Sequence, residues 1–428
     1  MINLRTVYKR AEEHTAVYAV VLFGVLALLI ALQSIFSPAL VLSGILVACL
    51  VVATFKRPEF ALALLAVYLP FESFVLKFIP DDIYVFARYG SEVLIYLVAL
   101  VVIWRLFAGK RAYRSTRFDL PFLLFVGALL ASAIVNLVPP TVAILGLRQI
   151  LRFMLVFFLV VQIDPSRGFI KRLTLVMMGV VAFQAALGIL QAIVGERLDV
   201  LLLPSEARSL GTISLMQGVE QFWDPGSRVF ATLGRYDRLG NFLYVFLLLG
   251  SGLLFTKELA KKIPWLPWLF ALVVPALTLT YSRSSWFAFL LGFLFIGLVI
   301  KKDRRVLAGF GAFVVFVALA FGSSGLNVSL LTETPGQTLT ERFFESFSYA
   351  RWRGEYYGLG RVFWFVNTPL SVVAASPILG FGPGQFGGGA VAALHNGRVY
   401  EQLGLPFGVF GTEGFIDNNW FSLWGEGG

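Results

Sequence analysis

Residues 265–305 read WLPWLFALVVPALTLTYSRSSWFAFLLGFLFIGLVIKKDRR. Two apolar runs, 265–281 and 284–300, flank a very short turn, and the second run ends in Lys301-Lys302-Asp303-Arg304-Arg305. A run of about 17–22 apolar residues is long enough to cross roughly 30 Å of hydrocarbon. In lipid the backbone must satisfy its own hydrogen bonds, so each run reads as a helix. The pair is therefore predicted to be a transmembrane hairpin, with Arg283 at one surface and a basic cluster at the other.

The same pattern recurs along all 428 residues. About eleven spans are predicted, near 16–35, 38–54, 59–76, 89–107, 119–138, 145–163, 173–194, 239–256, 265–281, 284–300 and 306–322. Composition agrees: 58% of the residues are apolar and 14% charged, against roughly 45–50% and about 25% in soluble domains. The mean hydropathy is +0.81. So much apolar surface does not fit inside one soluble core, which excludes a cytosolic nucleotide-binding enzyme. The only cysteine, Cys49, lies inside an apolar run, which excludes a disulfide scaffold. The expected fold class is an all-α polytopic transmembrane helical bundle.

The net charge of +10 would suit a nucleic-acid partner, but the placement of the charges argues otherwise. Lys56-Arg57, Arg105 to Arg117, Arg167 to Arg172, Lys257 to Lys262 and Lys301 to Arg305 each follow an even-numbered span. With Arg5, Lys9 and Arg10 they hold 20 of the 35 basic residues. The positive-inside rule puts these connections and the N-terminus in the cytoplasm. No cleavable signal is read before the first span, whose apolar run is too long for a signal core.

The other 15 basic residues fall on the far side, and 14 of them are arginine, whereas the cytoplasmic set has 11 arginines and 9 lysines. Orientation needs only positive charge. A nearly pure arginine set suggests recognition of multi-oxygen anions, for which the guanidinium fork is suited; the alternative is that arginine merely snorkels and stacks at the interface.

Two outward connections are long: 195–238 and 323–428. The second holds 19 of the 41 glycines, together with Trp352, Trp364, Trp420 and Trp424. Such glycine density means turns and close backbone approach rather than a spanning helix. The expected organisation is a transmembrane domain over 1–322 and a large extracytoplasmic loop over 323–428, with one or more further helices expected beyond Gly428.

Charges in or beside a membrane are functional candidates, because each is costly without a partner. Arg148 and Arg152, four apart, share one helical face and repel unless an anion sits between them or both reach lipid phosphates. Arg283 is pinned at the outer surface by its short turn. Arg228, Arg235 and Arg238 lead to Asn241, and either grip phosphate oxygens or seat the loop on headgroups. Arg361 opens a short helix that is followed by Gly380, Gly382 and Gly384, a turn able to lie against a sugar or phosphate. For acid–base work the outer face offers His395, Asp417 and Glu426; His14 lies in the cytoplasmic head. No metal-ligand spacing, nucleophile elbow or Walker loop is present, so no cofactor is expected.

Four stretches, taken in order, resemble the O-antigen ligase and polymerase superfamily of bacterial membrane glycan transferases. They are Arg228 to Gly234 running on to Asn241; Thr280-Tyr281-Ser282-Arg283-Ser284-Ser285-Trp286; Arg361 and Trp364 followed by Pro377 to Gly384; and Asp417-Asn418 to Phe421 with Glu426 and Gly428. These motifs cover residues 228–428, while the topology agrees along the whole chain. Two positions depart from the family pattern. Ala231 stands where a glycine is expected, and Asp417 stands in the slot that ligases fill with histidine, as in some relatives that polymerise repeat units.

The resemblance implies a GT-C-like architecture in the bacterial inner membrane, with the active site facing outward. It also implies a polysaccharide or repeat unit on undecaprenyl diphosphate as donor, and a glycan or lipid acceptor. The acceptor hydroxyl would attack the anomeric carbon with inversion and without a metal, as an O-antigen or exopolysaccharide polymerase or ligase. On this reading Asp417 is the first choice of base and His395 the second. Arg283 would stabilise the leaving diphosphate, with Arg148, Arg152, Arg228 and Arg361 as diphosphate-binding residues. The expected partners are the lipid-linked donor, the acceptor and membrane lipids, with no nucleic acid. A transporter or exporter with an arginine-lined cavity for an anionic substrate is the alternative, although no matching helix breaks in two halves are seen.

Overall fold

The structure, a computed structural model, describes residues 33, 37–204, 209–210, 213–214, 227–256, 263–324, 327–334, 336–409, 416 and 418–428. The expected first span, 16–35, lies outside them apart from residue 33, and so does Asp417.

The chain is helical. In order run α1 (Pro38–Lys56), α2 (Pro58–Tyr68), α3 (Glu72–Lys77), α4 (Asp81–Phe107), α5 (Asp119–Val135), α6 (Pro140–Ile163), α7 (Arg167–Val194) and α8 (Glu196–Leu202). Then follow α9 (Tyr236–Leu254), α10 (Leu266–Leu279), α11 (Arg283–Leu294), which a π-turn extends to Ile300, and α12 (Arg304–Ser324). The segment after α12, called the outer segment after its expected side, carries α13 (Leu339–Glu345), α14 (Tyr349–Tyr357), α15 (Arg361–Asn367), α16 (Gly389–Leu394), α17 (Arg398–Leu403) and α18 (Asn419–Gly427). The one strand pair among the described residues is a two-residue antiparallel ladder, Ser209–Leu210 with Ile213–Ser214.

Six helices among the described residues are long and apolar enough to cross a membrane: Pro58–Lys77, Asp81–Phe107, Pro140–Ile163, Arg167–Val194, Tyr236–Leu254 and Arg283–Ile300. Three shorter apolar helices, Leu40–Lys56, Asp119–Val135 and Leu266–Leu279, accompany them. Two boundaries differ from the sequence reading. The expected span 89–107 starts at Asp81, because Pro80 opens the helix and Asp81 and Asp82 suit its positive N-terminal end. The expected span 59–76 tightens into a 3-10 turn at Leu69–Phe71, around Pro70.

Local chemistry sets the ends. Ser37 caps α1 by accepting from the Leu40 N–H, and Ser166 caps α7 by accepting from Phe169. At the end rich in lysine and arginine, basic side chains satisfy the last helical carbonyls. Arg105 donates to Phe55 O at 2.6 Å, Arg111 donates to Gln162 O at 3.1 Å, and Arg114 pairs with Asp164 at 2.6 Å.

Two apolar cores hold the helices together. One packs Val181 and Ala185 of α7 against Leu239, Leu243 and Leu247 of α9 and Val273 and Ala276 of α10. The other joins Leu65 of α2, Val98 of α4 and Leu159 of α6. The outer segment has a separate aromatic core, in which Trp364, Phe386, Tyr400 and Phe421 are buried.

That segment is tied to the helices by a backbone seam. Gly380, Gly382 and Gly384 all take positive φ, 59°, 102° and 75°, where a side chain is strained. Through this turn Phe381 N–H donates to Gly425 O at 2.8 Å and Gly382 N–H to Glu426 O at 2.9 Å. Asn136, which follows α5, donates to Gly380 O at 3.1 Å, and Gln149 of α6 accepts from the Ala390 N–H at 2.7 Å. A side chain on Gly146 of α6 would collide with the Pro383–Gly384 backbone. The glycine turn therefore lies against protein, which corrects the expectation of a cradle open to a sugar or phosphate.

At the centre of the seam the Glu426 carboxyl accepts from the Gly384 N–H at 3.0 Å. Burial pushes it up to about 8, and the Gly384 and Phe386 N–H groups only partly oppose this. The folded chain thus keeps a proton that the unfolded chain loses above the ordinary glutamate range. The contribution of Glu426 is complete below that range and disappears as pH rises through about 8. Thermal unfolding of the detergent-solubilised protein should show stability falling between about pH 5 and 8. In Glu426→Gln this part of the pH dependence should vanish; an unchanged slope would contradict the assignment.

Candidate functional site

The turn between α10 and α11 is built from buried hydroxyls. Tyr281 takes φ 53°, which reverses the chain between the two helices. The Ser282 and Ser285 hydroxyls lie 2.9 Å apart, and Ser285 donates to Asn241 of α9 at 3.1 Å. Trp286 Nε1 donates to Leu277 O at 2.9 Å. Gly240 allows this close approach, since a Cβ there would stand 2.5 Å from the Ser285 hydroxyl. These contacts fix the first turn of α11, where Arg283 stands.

The approach to α9 is fixed in the same way. Gln191 of α7 accepts from the Phe230 and Ala231 N–H groups at 3.0 and 2.9 Å. Gln184 donates to the Thr232 hydroxyl at 2.6 Å, which donates in turn to Pro70 O at 2.7 Å. Ala231 takes φ 48°, a left-handed conformation that glycine adopts without strain. With Phe230 to Thr232 clamped, Arg228 is placed beside the α10–α11 turn.

Four arginines meet at this point on two carboxylates. Glu345, at the end of α13, has no exposed side-chain surface and pairs with Arg283 at 2.9 Å, Arg342 at 3.1 Å and Arg351 at 2.6 Å. Glu333, in the irregular segment before α13, pairs with Arg228, with Arg342 at 3.1 Å, with Arg351 at 3.3 Å and with Arg283 at 3.8 Å. Arg228 also stacks on Tyr236, its guanidinium carbon 4.4 Å from the ring centre. Glu355 holds Arg351 from the far side. The four guanidinium groups exceed the two carboxylates by two positive charges, or by one when Glu355 is included.

Burial raises Glu333, but Arg342 and Arg228 together outweigh it and hold the carboxyl down at about 2. A carboxylate so acidic takes no proton near neutrality, so the role of Glu333 in this arrangement is electrostatic rather than basic.

The nominated residues divide between places. Arg228 and Arg283 share the cluster just described. Arg148 and Arg152 instead share Glu92 of α4: Arg148 Nε lies 3.2 Å from one carboxylate oxygen, and Arg152 pairs with the other. The anion between these two arginines is therefore a protein side chain that is itself nearly buried. Arg148 also lies over Tyr89 at 5.0 Å. Among the described residues no ion pair joins this group to Glu333 or Glu345. Arg235 folds onto Asp237 at 3.0 Å, and Arg238 reaches Ser73 at 3.5 Å. Arg361 is exposed at the start of α15, where its N–H donates to Glu355 at 2.8 Å. His395 is exposed and closes α16 in a left-handed conformation, φ 49°. Asp417 lies outside the described residues.

Three carboxylates were not singled out from the sequence, Glu92, Glu333 and Glu345, while Arg342 and Arg351 were read only as members of the outward arginine set. Glu92 carried a signal, being an acidic residue in an otherwise apolar stretch, which the rule for intramembrane charges marks. Arg342 and Glu345 are three apart and Arg351 and Glu355 four apart, the spacings of helical ion pairs. Glu333 carried no local signal.

No family model matches the chain, and no curated protein or solved structure matches it either.

Removing one partner of a buried charge pair typically costs roughly 3–5 kcal/mol. Glu345→Ala would leave three largely buried guanidinium groups short of an anion. Its thermal unfolding midpoint should fall well below that of the parent, whereas Arg353→Ala, on the exposed face of α14, should leave it nearly unchanged. Equal midpoints for Glu345→Ala and the parent would contradict the role given to Glu345.

Proposed function

We propose that this protein is a membrane glycan transferase that moves a polysaccharide or repeat unit from undecaprenyl diphosphate to an acceptor hydroxyl. The observation that carries the reading is the convergence of Arg228, Arg283, Arg342 and Arg351 on two carboxylates with positive charge in excess. Arg283 opens a helix able to cross a membrane, and Arg342 and Arg351 lie on short helices of the outer segment. A lipid diphosphate brings its charge to such a level while its chain stays in the hydrocarbon. In the resemblance drawn from the sequence, Arg228 and Arg283 fall in two of the four matching stretches.

In the proposed reaction the acceptor oxygen attacks the anomeric carbon and the bond from that carbon to the phosphate oxygen breaks. The diphosphate leaves on the lipid with one more negative charge than it bore as an ester. Guanidinium groups already fixed by Glu345 would stabilise that charge without reorganising. The acceptor proton passes to Asp417 or His395, the first and second nominees for the base. The active site would face outward in the bacterial inner membrane, with the basic helix ends in the cytoplasm.

Purified protein with an undecaprenyl-diphosphate-linked donor and an acceptor glycan provides the test. Arg283→Ala should lower transfer by roughly a hundredfold or more, the usual loss when a fixed donor to a developing anion is removed. Arg283→Lys should recover only part of it, since a point charge lacks the guanidinium fork. Full transfer by a folded Arg283→Ala protein would refute the proposal. The base is tested separately: Asp417→Ala should be inactive and His395→Ala active, and the reverse result would move the role to His395.

A further inference from the structure

The two carboxylates of the arginine cluster differ in how they are held. Glu345 rises from α13 and is sealed, with three arginines around it and no exposed surface. The side chain of Glu333 is 44% exposed and comes from an irregular segment. That segment is fastened at the two residues just before the carboxylate. The Ser348 hydroxyl donates to Leu331 O at 2.5 Å, and Gln337 Nε2 donates to Thr332 O at 2.7 Å. Gly336, at φ 76°, turns the chain back. The backbone is thus anchored while the charged end of Glu333 stays partly exposed beside the four guanidinium groups. One anion is sealed in and the other reaches the surface.

We propose that Glu333 is an internal competitor occupying a phosphate position in the arginine cluster, and that it sets the charge an incoming headgroup must carry. This rests on the diphosphate reading above and adds a selectivity to it. A tethered carboxylate acts at a high effective concentration. A monoanion that displaces it makes no more ion pairs than Glu333 already makes, so it gains nothing. A diphosphate offers more charge and more acceptor oxygens than a carboxylate, and it can engage guanidinium groups that Glu333 contacts only at 3.1–3.8 Å. The headgroups that surround the protein carry single phosphates in great excess, and an open cluster of four arginines would be occupied by them. Holding Glu333 in place leaves the cluster closed to those headgroups and open to the diphosphate.

The test uses the full chain in nanodiscs of zwitterionic lipid, titrated near neutral pH with inorganic pyrophosphate and with dimethyl phosphate, a phosphate monoanion like those of the headgroups. The parent is expected to bind pyrophosphate and to bind dimethyl phosphate far more weakly. Glu333→Gln should bind both more tightly, dimethyl phosphate by roughly tenfold or more, a change of about 1.4 kcal/mol, so that the preference narrows. Glu333→Asp keeps the charge but shortens the arm, and should shift the preference in the same direction by less. It serves as the readout if the glutamine variant does not fold. Pyrophosphate binding by the parent with no change of preference in either variant overturns this inference alone. Absence of pyrophosphate binding in the parent and both variants overturns the diphosphate reading, and this inference with it.

Discussion

Glu345 has no contact with water, and a carboxylate in that position is tolerable only when cations surround it. Its three partners come from different parts of the chain: Arg283 opens α11, Arg342 lies one turn earlier on α13, and Arg351 lies on α14. The buried charge therefore ties an apolar helix hairpin to the outer segment. It also fixes the guanidinium groups of all three arginines.

The rest of the architecture serves this placement. Buried amides of α7, Gln184 and Gln191, clamp the backbone ahead of α9 and so set Arg228. Buried serines and Asn241 set the turn that carries Arg283. On the other side of the outer segment, the glycine turn and Glu426 close against α5 and α6. Several of the polar groups buried among the apolar helices thus hold an arginine-bearing turn or the outer segment. A second carboxylate, Glu92, repeats the arrangement on α4 and α6 with Arg148 and Arg152.

Much of the helical content was legible in the sequence, because hydrocarbon thickness and backbone hydrogen bonding leave little choice for a long apolar run. The run 145–163 appears as Pro140–Ile163 and the run 284–300 as Arg283–Ile300. The place of Arg283 at a tight turn between two apolar helices was legible too, since the two runs leave so few residues between them. What could not be read was pairing. Arg148 and Arg152 announce by their spacing that they need an anion, but only the packing of α4 against α6 identifies Glu92. Glu333 is an ordinary glutamate in an irregular stretch, and its meaning comes from contacts with residues up to 105 positions away. The alternating glycines misled because periodicity shows that a turn forms but not what it faces.

The account stands on the claim that the four-arginine cluster is a seat for a diphosphate. The most direct measurement is an experimental structure of the protein in a lipid nanodisc with undecaprenyl diphosphate bound. The account predicts the two phosphates among Arg228, Arg283, Arg342 and Arg351, with Glu345 unmoved and Glu333 turned out of the cluster. Phosphates bound elsewhere, with Glu333 still paired to Arg228 and Arg342, would contradict it.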